Sequence, residues 1–444
     1  MAVAGLTPPE WSVQLIDETL GIPDYDEFER PDLVGMTAFT SQANRAYELA
    51  AYFRSRGIPV VMGGIHATMC VDEASSRVDS VVTREAEGVW EQVLTDVLAG
   101  RLQRRYDGGL AEIDEIRPAR HDLLPPDYAF GAIQTTRGCQ LNCNFCSVPI
   151  FNGSKYRQRP AADIVKEFRS IPENRVLIVD DNFVGTGAAQ IRRAKELFRA
   201  LADANTGKRW IGQVTVNFGD DEELMTLAKR SGCIGCFVGF ESPTSEGLAE
   251  INKKFNVLKD RDLRASVRRI QAHGIMVVGS FMIGLDVDTP GIGDRIAAAA
   301  DWYGVDNMNV LFYTPLPGTR LWDQMKGQHR IAMDSFPSDW QYYTLTYPVA
   351  RHQTMSLSEI IAEMITCNGT YYSLRNIFWR MITGLIQGRS PFYGVIANFS
   401  SRRNSIAFAR RYAKFEELEG WRFSRSGGTS GPRDNRGLLS DLAR

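Results

Sequence analysis

The chain has 444 residues, too many for one ordinary hydrophobic core, so its length points to two domains and an appendage. Its 51 Lys and Arg against 53 Asp and Glu leave a net charge of −2, which removes any global electrostatic case for nucleic acid. Seven cysteines, three of them within eight positions, oppose a disulfide framework and fit a reducing, cytoplasmic compartment where thiolates bind metal.

The N-terminus, MAVAGLTPPEW, lacks the charged and apolar regions of a secretory signal. From Trp11 onward, short apolar runs alternate with helical stretches. WSVQLID, DLVGMTAF, IPVVMGG and SVVTREAE read as buried strands, and NRAYELAAYFRSRG reads as a helix stopped at Gly57. Residues 1–110 are therefore expected to form a doubly wound, Rossmann-like domain with ligands at the carboxyl ends of its strands. A linker rich in proline and charge follows over 111–130.

A second α/β series occupies 131–320. Its strands read GAIQTTRG, RVLIVDDN, WIGQVTV, CIGCFVGFES, IMVVGSFMIG and NMNVLFYTPLPG, separated by helical segments such as AADIVKEFRSI and LRASVRRIQAHG. The run Ile275–Leu285 is about half the roughly 20 residues a membrane helix needs and is read as a strand. Six strand-helix units predict a partial (β/α)6 barrel, two units short of a closed one. Residues 321–423 read as mostly helical, with NGTYYSLRNIFWRMITGLIQ and RRNSIAFARRYAKFEEL as amphipathic helices that pack on the barrel or touch a membrane surface or apolar substrate. The tail, 424–444, is expected to be disordered.

In TTRGCQLNCNFCSVP, directly after a predicted strand, Cys139, Cys143 and Cys146 have the spacing C-x3-C-x2-C. Three thiolates from one loop can hold three irons of a cubane and leave the fourth open to a small chelating molecule. A structural zinc site would pair two short clips of ligands, and no matching clip lies nearby. Cys233 and Cys236 have clip spacing but sit in an apolar strand and are read as buried thiols.

The cysteine spacing, Phe145 before the last cysteine, the preceding strand and the six-unit barrel together resemble the radical S-adenosylmethionine superfamily, over about 131–319. The resemblance implies a [4Fe-4S] cluster whose open iron binds S-adenosylmethionine and, once reduced, cleaves it to a 5'-deoxyadenosyl radical. It further implies that Asp180, Asp181 and Asn182 meet the methionine amino group, that Glu241 and Ser242 meet the ribose, and that Gly279 to Gly284 pack on adenine. TPLPGT, Thr314–Thr319, resembles a strand-end turn of the branch that also uses cobalamin.

The first domain resembles the cobalamin-binding domain of that branch through LIDE (15–18), GMTAFTSQ (35–42), GGIHATM (63–69) and EAEGVW (85–90). Thr37, Thr40, Ser41, Gly63, Gly64 and His66 are the implied contacts, with His66 a hydrogen-bonding or structural residue rather than a cobalt ligand. Two departures stand out. Relatives begin with a further strand and helix, so this sheet would be truncated by one strand, and Arg84 stands where the family favours glycine.

The leading expectation is radical chemistry on an unactivated carbon of a small, hydrophobic molecule, with electrons from a flavodoxin or ferredoxin. With cobalamin the reaction is methyl transfer; without it, oxidation, cyclisation or rearrangement, as in the anaerobic magnesium-protoporphyrin ester cyclase. No residue is singled out as catalytic. An iron-sulfur electron carrier or redox sensor is the non-enzymatic alternative.

Overall fold

The computed structural model describes residues 1–113, 116–126, 128–253, 255–256, 261–386 and 391–424. The expectation for the tail therefore lies, from 425 on, outside the described residues.

The N-terminal sheet has four parallel strands in chain order: β1 (Val34–Thr37), β2 (Val60–Gly63), β3 (Ser80–Thr83) and β4 (Arg105–Asp107). The helix Ala43–Ser55 between β1 and β2 buries Ala43, Ala46, Tyr47, Ala50 and Phe53, the i, i+3, i+4, i+7 stripe that packs a helix on a sheet. One sequence expectation fails here, and one strand went unread. WSVQLID (11–17) is extended but joins no sheet, because alternation makes a strand only where a neighbouring backbone accepts its ladder. β4 went unread because only Tyr106, among charged neighbours, is buried in it.

The second sheet is the partial barrel. β5 (Gly131–Ile133), β8 (Arg175–Ile178), β9 (Arg209–Val214), β10 (Cys233–Glu241), β11 (Met276–Ile283) and β12 (Asn307–Phe312) lie side by side in chain order, all parallel. All six were legible in the sequence. Between β5 and β8, the two-residue strands β6 (Thr136–Arg137) and β7 (Arg157–Gln158) pair antiparallel and close the base of the loop 138–156. Aromatic side chains seal the outer layer. Phe183 meets Trp210 edge-on at 5.3 Å, and Phe240 stacks on Phe281 at 5.5 Å and on Tyr303 at 5.1 Å.

Beyond Thr319, which caps the helix Arg320–Gly327 through its hydroxyl, no strand follows among the described residues. Phe336 stacks on Trp340 at 3.7 Å, and Trp340, Tyr342 and Tyr343 are buried, so the aromatic run 340–348 is largely core. The helices Leu357–Tyr371, Leu374–Ile386 and Pro391–Phe423 follow. The first predicted amphipathic helix is thus two, broken at Tyr372 and Ser373. Tyr371 and Tyr372 are both fully buried and donate to the Val305 and Met308 carbonyls, and consecutive positions of an unbroken helix do not face the same way.

Candidate active site

Cys139, Cys143 and Cys146 all lie on the loop that β6 and β7 pinch shut. Gly138 makes the turn into it at φ +84°, where a Cβ would stand 2.3 Å from the Lys155 carbonyl oxygen, so only glycine fits. The loop is braced by main-chain anchors. Asn252 Nδ2 and Arg320 Nη2 donate to the Asn142 carbonyl at 2.7 and 2.5 Å, and Asn144 Nδ2 donates to the Glu250 carbonyl at 3.1 Å. Phe145 packs edge-on against Tyr313 at 6.4 Å. Thr319 and Gly318 end the TPLPGT turn, and a Cβ on Gly318 would stand 2.7 Å from Met69 Sδ of the first domain.

Burial pushes the thiol of Cys146 up to about 12, that of Cys143 up to about 11, and that of Cys139 upward too. Only strong cationic partners would hold three such groups as thiolates. Among the described residues no three His, Cys, Asp or Glu side chains converge on a single metal ion, whereas a cubane presents three separate irons to three thiolates. The donor set and the glycine-built loop fit the cluster.

The expected contacts divide into those facing this loop and those consumed elsewhere. Asp181 faces it: its Oδ2 accepts from Asn152 Nδ2 at 2.9 Å, burial raises its carboxyl, and its charge acts on Cys139 and Cys146. Asp180 turns inward. Its oxygens accept from the Thr135 N–H at 2.6 Å and from the Thr135 hydroxyl, and burial lifts its pKa to about 6. Asn182 Oδ1 accepts from the Gly185 N–H at 3.2 Å, a local turn.

Glu241 ends β10 at φ +66°, a left-handed conformation rare for a carboxylate residue and a mark of a constrained site. Lys253 Nζ meets its Oε1 at 2.5 Å, buried, and the same ammonium acts on Cys139 and Cys143. Gly239 makes room for this pair, since a Cβ there would lie 2.3 Å from Glu241 Oε1 and 2.6 Å from Lys253 Nζ. Ser242 lies buried beside Thr244, whose N–H donates to its Oγ at 3.2 Å. At Gly279 the Cβ direction runs into Val305, Phe281 and Phe240, the outer core. Gly284, at φ +93°, turns the chain after β11 and donates its N–H to Asp288 Oδ2 at 2.9 Å.

In the first domain Thr37 and Gly64 meet at the carboxyl ends of β1 and β2. Gly64 sits at φ +85°, and a Cβ on it would lie 2.4 Å from Thr37 Oγ1. Gly63 ends β2, Thr40 and Ser41 form a short turn after β1, Thr40 being buried, and Thr37 is exposed. These small residues fit a flat macrocycle approached by backbone. His66 is set apart from them: it is fully buried, its Nε2 lies 2.8 Å from the Tyr47 hydroxyl, and Trp340 packs edge-on at 5.6 Å. Arg84 occupies a glycine-like conformation at φ +60° with its side chain exposed.

Residues that sequence reading missed join the two domains. Glu85 is buried between Arg137 and Arg157: Arg137 Nη1 donates to its Oε2 at 2.9 Å, Arg157 Nη1 donates to the same oxygen at 2.9 Å, and Arg157 Nη2 pairs with Oε1. Arg137 Nη2 also reaches Glu87 Oε1 at 2.7 Å. Both motifs, EAEGVW and TTRGC, were legible; their pairing was not. Lys253 carried no sequence signal at all.

A parallel six-strand partial barrel whose first strand leads into a three-cysteine loop defines a class. Residues 133–297 match the Radical SAM superfamily, so the chain carries a radical S-adenosylmethionine domain, with the [4Fe-4S] cluster and S-adenosylmethionine that this class uses. It is 27% identical over 423 residues to the bacteriochlorophyllide d C-12(1)-methyltransferase of Chlorobaculum tepidum, covering 90% of this chain and 87% of that one. It is 26% identical over 378 residues to the C-8(2)-methyltransferase of the same organism, covering 79% of each. Among solved structures, the radical S-adenosylmethionine methyltransferase TsrM from Kitasatospora setae, with cobalamin and a [4Fe-4S] cluster bound, shares the fold at TM-score 0.59 and 17% identity, over 88% of this chain and 89% of that one.

Proposed function

We propose that this protein is a cobalamin-dependent methyltransferase acting on an unactivated carbon of a small, apolar or ring-containing molecule in the cytoplasm, with electrons from a flavodoxin or ferredoxin. The observation that carries the reading is the continuity of likeness: methyltransferase relatives align across both domains, and here Glu85 and Arg137 tie the strand ends of the first domain to the cysteine loop of the second. When bound, the cluster and S-adenosylmethionine supply the radical that removes hydrogen, and cobalamin supplies the methyl group.

The chain's own residues position and exclude. Cys139, Cys143 and Cys146 hold the cluster and leave one iron open. Asp181, beside the thiols, accepts from the substrate ammonium of S-adenosylmethionine, and the Glu241 carboxylate, held by Lys253, accepts from ribose hydroxyls. Thr37, Ser41, Gly63 and Gly64 line the approach for cobalamin. The test is anaerobic reconstitution with hydroxocobalamin and dithionite. Bound corrin in the optical spectrum with both 5'-deoxyadenosine and S-adenosylhomocysteine as products supports the reading; a full cluster that yields neither product overturns it.

A second reading, radical oxidation or cyclisation without cobalamin, is favoured by residues 11–17 joining no sheet and by Arg84 at the end of β3. It predicts 5'-deoxyadenosine without bound corrin and without S-adenosylhomocysteine.

A further inference from the structure

Outside the active site, the C-terminal helices leave an apolar surface uncovered. On Leu374–Ile386, Phe378, Trp379 and Leu385 are exposed, at 60%, 56% and 55%. On Pro391–Phe423, the exposed residues Ile396, Phe399 and Ile406 share one helical stripe with the exposed Arg403 and Arg410, at spacings i, i+3, i+7, i+10 and i+14. The two helices pack on each other. Single exposed apolar residues are ordinary on a protein surface, but six on two packed helices are not.

The charge of this region is as one-sided as its hydrophobicity. From Leu374 to Phe415 there are eight Lys or Arg and no Asp or Glu, in a chain whose net charge is −2; Glu416, Glu417 and Glu419 enter only in the last turns of the second helix. A groove beside the first helix is lined by Arg264, Arg268 and Trp302 and by Asp301 and Asp306, with Arg380 paired to Asp301 at 2.7 Å and the Arg264 guanidinium 3.9 Å above the exposed Trp302 ring. Aromatic side chains and arginines alternating over an apolar face match the boundary between acyl chains and anionic headgroups. No described helix is long and apolar enough to cross a bilayer, so the face would lie on one.

We infer that the helices 374–386 and 391–423 dock this enzyme on an anionic phospholipid surface. A second copy of the chain fits less well, since it would bring like-charged faces together. Residues 425–444, with four Arg against two Asp, add positive charge rather than offset it.

The test is flotation of the full-length protein with vesicles, and it does not depend on activity. Vesicles of phosphatidylcholine with phosphatidylglycerol should carry the protein, phosphatidylcholine alone should not, and raised salt should release it. The double substitution R403E/R410E should weaken binding about tenfold or more. F378S/W379S should weaken it comparably, with unchanged far-ultraviolet circular dichroism for both variants. Failure to float with the anionic vesicles, binding indifferent to both variants, or a dimer in sedimentation that F378S/W379S abolishes would each overturn the inference.

Discussion

Arg137 stands two residues before Cys139 and places its Nη1 2.9 Å from Glu85 Oε2, in the buried join between the domains. Burial opposes ionisation of Glu85, but the Arg157 and Arg137 guanidiniums outweigh it and hold the carboxyl below its usual range. The stability this contributes is present above the ordinary glutamate value of about 4.3 and is lost as pH falls through the depressed folded value. Glu85→Gln leaves two buried guanidiniums short of charge and is expected to cost about 3–5 kcal/mol at neutral pH. Because Arg137 leads into Gly138 and Cys139, the variant should also bind less iron. Urea unfolding at pH 7 and pH 4, with iron analysis, checks both effects; unchanged unfolding at pH 7 would refute the first.

Asp180 and Asp181 are neighbours with opposite expected behaviour. The folded pKa of Asp180, raised to about 6 by burial, lies above an unfolded value of about 3.9, so its ionisation costs stability. That cost is absent below the unfolded value and grows as pH rises toward the folded one. Asp180→Asn keeps an acceptor for the Thr135 N–H and should be more stable than the parent by about 2–3 kcal/mol at pH 7, and by little at pH 4. S-adenosylmethionine affinity should barely change. Asp181→Asn should instead weaken S-adenosylmethionine binding by about tenfold, read by calorimetric titration of the reconstituted protein. The reverse pattern would exchange the two assignments.

Removing the imidazole of His66 tests whether that residue is structural. It makes the Tyr47 contact at 2.8 Å and packs on Trp340 in a fully buried position. His66→Ala should lower stability by about 2–4 kcal/mol through the cavity it leaves, the Tyr47 hydroxyl keeping its hydrogen bond to Glu73 Oε1 at 2.9 Å. The optical spectrum of bound corrin should be the same in the variant as in the parent. A changed axial-ligand spectrum would make His66 a cobalt ligand after all.

Arg84 holds a left-handed backbone at φ +60° that costs a side-chain-bearing residue about 1–2 kcal/mol. Glycine loses part of that gain to unfolded-state entropy. Arg84→Gly should raise the unfolding free energy by about 1 kcal/mol, and a destabilised variant would show that the Arg84 side chain contributes more than its exposure suggests.

What the sequence alone determined follows from local repetition. Period-two and period-3.6 patterns placed all six barrel strands, and the C-x3-C-x2-C spacing singled out the candidate cluster ligands, because both signals are complete within a few consecutive residues. Only the tertiary structure decided which way adjacent side chains turn. Asp180 and Asp181 look alike in VDDNF, and only the closeness of Thr135 turns the first away from the cysteine loop. Only folding, too, could bring Lys253 under Glu241 and Arg137 against Glu85, 52 residues apart in the chain. Segment 11–17 makes the complementary case: its alternation is that of a strand, yet a strand exists only where another backbone lies beside it to complete its hydrogen bonds.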